Sequence, residues 1–201
     1  MPADDWRWPE GWLFLIILMG YAGIQGVYLL KYDPGLAEER MRSKWPERGW
    51  DRAIISLLYP AMIAMIFIPG FDRRYGWSDL PSWLQFLGLI ATLLGFYLTF
   101  LVMRENSFLS ASVKIQAERG HKVITTGPYA IIRHPMYAAT FLYCLGIPLL
   151  LDSSYGLIAG LFSIALLVLR TVLEDKTLHE ELEGYPEYAA VTRYKLVPGL
   201  W

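Results

Sequence analysis

The 201-residue chain is 55% hydrophobic and 18% charged, against about 25% charged residues in an average soluble domain. Its formal net charge of -1 argues against a nucleic-acid partner, and its single cysteine excludes an internal disulfide framework. Cys144, inside an apolar run, reads as a small buried hydrophobe.

The first residues, MPADDWRWPE, are acidic and aromatic and lack the basic start of a secretory signal, so the first apolar stretch is expected to stay in the protein. That stretch, Trp12–Leu30, carries no formal charge and fits the roughly 17–25 residues of a membrane-crossing helix. Trp6, Trp8 and Trp12 suit an interfacial belt. Residues 31–52 are polar, with room for a short amphipathic helix at Leu36–Lys44. Ala53–Pro69 is the second span, with a kink expected at Pro60, and Trp83–Met103 is the third. Arg104–Pro135 is a long polar segment. Met136–Leu151 is apolar but short, and Asp152-Ser153-Ser154 turns the chain into Tyr155–Leu173. The last two spans should form an antiparallel hairpin. A polar tail follows, helical to about Leu182 and broken at GYPEY. Glu180, Glu181, Glu183 and Glu187 read as its solvated face.

The expected fold is therefore all-α: one membrane-integral domain over 1–201, with about five transmembrane helices and a C-terminal helical hairpin. Residues 1–103 hold the N-terminal spans and 104–201 the half that carries chemistry. No internal repeat is seen, and the loops are too short for independent cores. Five spans with the tail in the cytosol place every lysine and arginine except Arg7, Arg73 and Arg74 on the cytosolic side. A pocket at that end would then face the cytosol, in the inner or plasma membrane if the cell is prokaryotic.

The polar island HKVITTGPYAIIRHPMY, His121–Tyr137, interrupts the apolar pattern. Gly127-Pro128 breaks regular structure, and Arg133-His134-Pro135 sets two hydrogen-bonding side chains before a helix breaker. Polar side chains at the edge of an apolar slab read as a working site, against the plainer reading of a solvated connector. On the other side of the hairpin, Arg170 and Glu174 are i,i+4 neighbours on one helix face, and Asp175 points about 100° away. A membrane-edge ion pair between Arg170 and Glu174 is the plain alternative. His121, His134 and His179 lack the spacing of a metal site, and neither a G-x-S-x-G elbow nor a nucleotide-binding glycine motif occurs.

From Gln116 to Gly199, HKVITTGPYAIIRHPMY, an apolar hairpin and RTVLEDKTLHEELEGYPEY follow in the order that resembles the isoprenylcysteine carboxyl methyltransferase family and the related phospholipid methyltransferases. The resemblance implies S-adenosylmethionine as cofactor and a small or lipid-like acceptor from the bilayer. It implies that His121, Lys122, Val123, Ile124 and Tyr129 wrap the cofactor, that His134, Pro135, Met136 and Tyr137 complete its site, and that Gln116 touches it. It assigns Arg170 to an acceptor carboxylate and Glu174 to the cofactor. Glu174-Asp175 stands where the family often has paired glutamates, and Ala139 where it often has glycine. So compact a chain has little mass for reading a protein, so a lipid, thiol or other acid is an alternative acceptor. A nicotinamide-dependent reductase of the sterol-reductase kind and a non-catalytic membrane partner are the competing readings.

Overall fold

The computed structural model describes Ala3, residues 6–42 and residues 45–201. Among these the chain forms seven α-helices: α1 Pro9–Tyr32, α2 Pro34–Met41, α3 Gly49–Tyr75, α4 Ser82–Glu105, α5 Pro135–Leu150, α6 Ser154–Glu181 and α7 Tyr185–Val191. Four of them, α1, α3, α4 and α6, are long and apolar enough to cross a bilayer, and α5 is a shorter apolar helix of 16 residues. The protein is an all-α integral membrane protein, and the five apolar helices fall on the five stretches expected from the sequence.

Local chemistry sets the helix ends. Asp33 caps α2 by accepting the Leu36 N–H at 3.0 Å, and Pro34 occupies the first turn, where a missing N–H costs nothing. The short helix begins two residues earlier than expected and runs to Met41; the last residues of the predicted Leu36–Lys44, Ser43 and Lys44, lie outside the described residues. Helix α3 continues through Pro60 and Pro69. Ser153 caps α6 through the Gly156 N–H at 2.9 Å. At Gly184, with φ at 82°, the chain turns out of α6 as expected, but GYPEY then starts α7.

Helix α5 is the centre of the bundle. Apolar surfaces gain little by meeting each other inside a membrane, so close backbone approach must supply the packing. Gly88 and Gly95 of α4 and Gly146 of α5 provide it: a Cβ on Gly88 would lie 2.4 Å from the Leu150 nitrogen, and one on Gly146 would lie 2.7 Å from the Thr92 nitrogen. On the other flank, a Cβ on Gly160 of α6 would lie 2.1 Å from the Cys144 carbonyl oxygen. The sequence-expected hairpin of α5 and α6 is present, but α5 packs more extensively on α4 than on α6. Helix α3 packs along α6 through Ile54, Leu58, Leu166 and Leu167. Helix α1 touches the bundle with few residues, among them Phe14 and Tyr21, whose ring stacks on Phe96 at 4.3 Å.

The alternation of the long helices brings α2, the 106–134 segment, the C-terminal part of α6 and the tail to one end. The turns at 76–81 and 151–153 lie at the other.

Candidate active site

The polar island is irregular because its residues cannot continue a helix. Gly127 takes φ 58°, and a Cβ there would press on the Glu105 carboxylate at 3.0 Å. The island is fixed by the tail: the Arg133 and His134 N–H groups donate to the Tyr194 and Lys195 carbonyls, each at 2.9 Å.

Asp175 is the hub of this arrangement. Its carboxylate accepts from Arg133 Nε at 2.8 Å and Nη2 at 3.1 Å, meets His134 Nε2 at 3.2 Å, accepts from the Tyr185 hydroxyl at 2.9 Å and pairs with Lys195 Nζ at 3.2 Å. Arg133 Nη1 donates further to the Thr192 and Arg193 carbonyls, both at 3.0 Å. One buried carboxylate thus ties the island, α6, the start of α7 and the tail together. Charge-assisted, two-pronged geometry of this kind is the strong form of the hydrogen bond.

Beside the hub lies a cavity of about 480 Å³, within the roughly 300–1,000 Å³ range of small-molecule sites. His121, Lys122, Val123, Ile124, Tyr129, His134, Pro135, Met136, Tyr137, Arg170 and Glu174 all line it, so the residues singled out on the two sides of the α5–α6 hairpin meet at one space. Gln116 is the exception. It is fully buried behind the wall, where its amide donates to the Phe108 carbonyl at 2.6 Å and accepts from Arg119, and it does not line the cavity.

The remaining candidates differ in what they leave free. The His121 ring stacks on Phe108 at 4.7 Å, and its Nδ1 accepts the Gln116 N–H at 3.3 Å. Burial, with the Arg119 cation close by, lowers its pKa below the ordinary imidazole value. Tyr129 accepts from Asn106 Nδ2 at 2.8 Å, and burial keeps its phenol protonated well above the usual range. His134 presents a ring whose Nε2 is already engaged by Asp175. Tyr137 donates its hydroxyl to Glu174 and lies beneath the Arg170 guanidinium, 5.7 Å from ring centroid to carbon.

Arg170 and Glu174 do not form the membrane-edge pair that the i,i+4 spacing allows. Arg170 Nε donates to Asp51 at 2.9 Å and Nη2 to the Ala111 carbonyl at 2.8 Å, while Glu174 accepts a hydrogen bond from the Tyr137 hydroxyl. The two side chains diverge because each finds a better-placed buried partner. Asp51, with 0% exposure, was not among the sequence candidates. Its signal was present: Asp51, Leu58, Met62 and Met65 share one helical face, so a charge stands on the buried side of a span. Asn106 and Ala111 could not be found in the same way, because irregular backbone carries no periodicity.

The arrangement can hold a flat, polar molecule with a cationic centre. Glu174 supplies a carboxylate, Phe108, His121, Tyr129 and Tyr137 supply ring surface, and Val123 and Ile124 supply apolar contact. Leu58, Tyr59 and Met62 of α3, with Tyr143 and Leu167, make the side nearest the bilayer apolar. Among the described residues, no group of three or more His, Cys, Asp or Glu is placed to hold a metal ion.

A sequence profile of the phospholipid methyltransferase family matches residues 83–183, half of the chain. The chain is also 30% identical over 97 residues to protein-S-isoprenylcysteine O-methyltransferase B of Arabidopsis thaliana. That similarity covers 47% of this chain and 45% of the plant protein, so the chain spans less than half the length of this relative.

Proposed function

The chain belongs to the phospholipid methyltransferase family, and from that membership we propose that it transfers a methyl group from S-adenosylmethionine to an apolar, membrane-borne acceptor. The observation that carries this reading is the convergence of His121–Ile124, Tyr137 and Glu174 on one cavity from both sides of the α5–α6 hairpin.

The donor set fits the cofactor. An adenosyl sulfonium has a flat base, hydroxyls and a cationic sulfur, and the cavity opposes these with ring faces, polar groups and the Glu174 carboxylate. When bound, S-adenosylmethionine supplies an electrophilic methyl carbon. The protein's part is to hold, align and exclude water. Glu174 and Tyr137 would hold the cationic side, and Val123, Ile124 and Tyr129 the nucleoside side. Asp175 keeps these walls together without facing the reacting atoms. Arg170 has five N–H groups, of which two are spent on Asp51 and Ala111, so it can still present a planar pair of donors to an acceptor carboxylate. A carboxylate acceptor carries no proton to remove, so no general base is required of the chain.

The basic residues concentrated at the cavity end support a cytosolic opening, where a soluble cofactor is at hand. The apolar side at Leu58, Tyr59 and Met62 supports entry of the acceptor from the bilayer. This resembles O-methylation of a protein-S-isoprenylcysteine, the activity in the plant relative's name.

The test is calorimetry of the purified protein in lipid nanodiscs with S-adenosylhomocysteine and, in parallel, NADPH. Transfer of label from S-adenosylmethionine to membrane lipids and small acids would be followed by mass spectrometry. Micromolar binding of the nucleoside thioether and a labelled product are expected. Binding of NADPH alone would return the chain to the reductase reading.

A further inference from the structure

Helix α3 lies outside the matched residues 83–183, yet it supplies the one buried carboxylate that grips Arg170. Asp51 has 0% exposure, and both of its oxygens are used. Oδ1 accepts from Arg170 Nε at 2.9 Å, and Oδ2 accepts the Val113 N–H at 2.7 Å. Ala111, two residues before Val113, returns its carbonyl to Arg170 Nη2 at 2.8 Å. The 111–113 wall is therefore closed against Arg170 from both sides, and Arg48 Nε reinforces it by donating to the Val113 carbonyl at 3.2 Å. Arg170 lines the cavity and Asp51 is buried behind it, so a guanidinium without this partner would lose its fixed orientation.

We propose that Asp51 is a positioning residue: it pins Arg170 by one edge and leaves its remaining N–H groups turned to a carboxylate-bearing apolar acceptor bounded by Leu58 and Met62 of the same helix. The proposal rests on the reading of the cavity as a methyltransferase site. It adds that the acceptor half is organised by the N-terminal part of the chain, which the family profile does not cover. Asp51 does not touch the reacting atoms; it acts through Arg170. The geometry separates two ligands at one cavity. Glu174 and Tyr137 belong to the donor side and are not bonded to Asp51, so loss of Asp51 should fall on the acceptor.

The experiment uses the full chain in nanodiscs as wild type, Asp51→Asn and Asp51→Glu, with two probes. S-Adenosylhomocysteine reports the donor side. N-Acetyl-S-farnesylcysteine, an apolar carboxylate, reports the acceptor side, added with S-adenosylhomocysteine present and read by calorimetry. Exchange of the Arg170 Nε–H, followed by arginine side-chain NMR, reports the grip itself. For Asp51→Asn, whose single neutral oxygen cannot serve both Arg170 Nε and the Val113 N–H, loss of the charged acceptor predicts weaker farnesylcysteine binding by about tenfold to a hundredfold, with S-adenosylhomocysteine affinity nearly unchanged. The Arg170 Nε–H should lose its protection, and Asp51→Glu should recover part of both effects. Unchanged Arg170 exchange in Asp51→Asn, or equal losses for the two probes, overturns the proposal and leaves Asp51 as a loop anchor. A wild type that binds S-adenosylhomocysteine but not the farnesylcysteine also overturns it, while the donor reading stands. A wild type that binds neither removes the functional reading on which the proposal rests.

Discussion

Replacing Asp175 with asparagine should unfasten the C-terminal segment from the membrane bundle. The change keeps the side-chain volume and removes one charge, so the effect isolates electrostatics from packing. Asp175 and Arg133 are 6% and 8% exposed as side chains, so solvent does not take over the lost interaction. An asparagine oxygen in the Oδ1 place can still accept from Arg133 Nε and the Tyr185 hydroxyl, but its amide hydrogens would face donors at Arg133 Nη2 and Lys195 Nζ, both of which now point at Oδ2. Lys195, 23% exposed, can swing to water and adds little. Breaking one side of a buried pair costs about 3–5 kcal/mol, a large share of the roughly 5–15 kcal/mol that holds a typical domain together. Two readouts follow. Denaturant unfolding in micelles gives the total loss, and trypsin cleavage after Arg193 and Lys195 reports the segment that Arg133 pins. Cleavage should accelerate before the spans unfold. Replacing both partners, Arg133→Met with Asp175→Leu, should cost less than Asp175→Asn alone, since neither charge is stranded. A loss below about 1 kcal/mol, the value of a surface pair, with unchanged cleavage would refute the hub reasoning.

Further expectations concern the packing, the cofactor side and pH. Gly160→Ala puts a methyl 2.1 Å from the Cys144 carbonyl oxygen and should cost about 3 kcal/mol, the upper end for overpacking, whereas Gly23→Ala, with open space around it, should change stability by less than about 1 kcal/mol; melting in micelles compares the two. Glu174→Gln should weaken S-adenosylhomocysteine binding in calorimetry by about tenfold or more through loss of a charged partner, and unchanged affinity in a folded protein would remove Glu174 from the donor side. Arg170→Ala should lower turnover more than S-adenosylhomocysteine affinity, and equal losses would move Arg170 to the donor side or to structure. Because burial and Arg119 depress the pKa of His121, the folded state favours the neutral ring. Its stabilising contribution is then full above the ordinary value of 6.5 and is lost as pH falls through the lower folded value. Unfolding measured from pH 7.5 down to pH 5 should show a slope that His121→Asn reduces.

The spans were legible because a bilayer imposes length and apolarity on a segment before any neighbour is known. Even the short α5 could be found, although its central place could not: that depends on Gly88, Gly95 and Gly146 meeting across a hairpin, and a glycine in a membrane helix looks the same whether it faces lipid, as Gly23 does, or a carbonyl oxygen. The two halves of the cavity were legible for a different reason. Charged and hydroxyl-bearing residues at a membrane edge are costly enough that their presence asks for a use, and His121–Tyr137 and Arg170–Asp175 both stood out on that ground.

Pairing was the part that sequence could not decide. On a bare helix Arg170 has one near carboxylate, Glu174, and the i,i+4 rule selects it. In the folded chain it has a second, Asp51, separated by 119 positions, and the fixed wall at Ala111 completes a site that Glu174 cannot offer. Local spacing therefore identifies which residues are costly to place in the membrane, while tertiary structure decides which charges cancel. Here the outcome is that Arg133 and Arg170 each hydrogen-bond a separate aspartate, Asp175 and Asp51, while Glu174 hydrogen-bonds the Tyr137 phenol and feels the Arg170 cation only through space. Glu174 accepts from one hydroxyl and keeps acceptor capacity toward the cavity that it lines. On the proposed reading, that remaining acceptor capacity beside the Tyr129 and Tyr137 rings is what would meet a cationic donor.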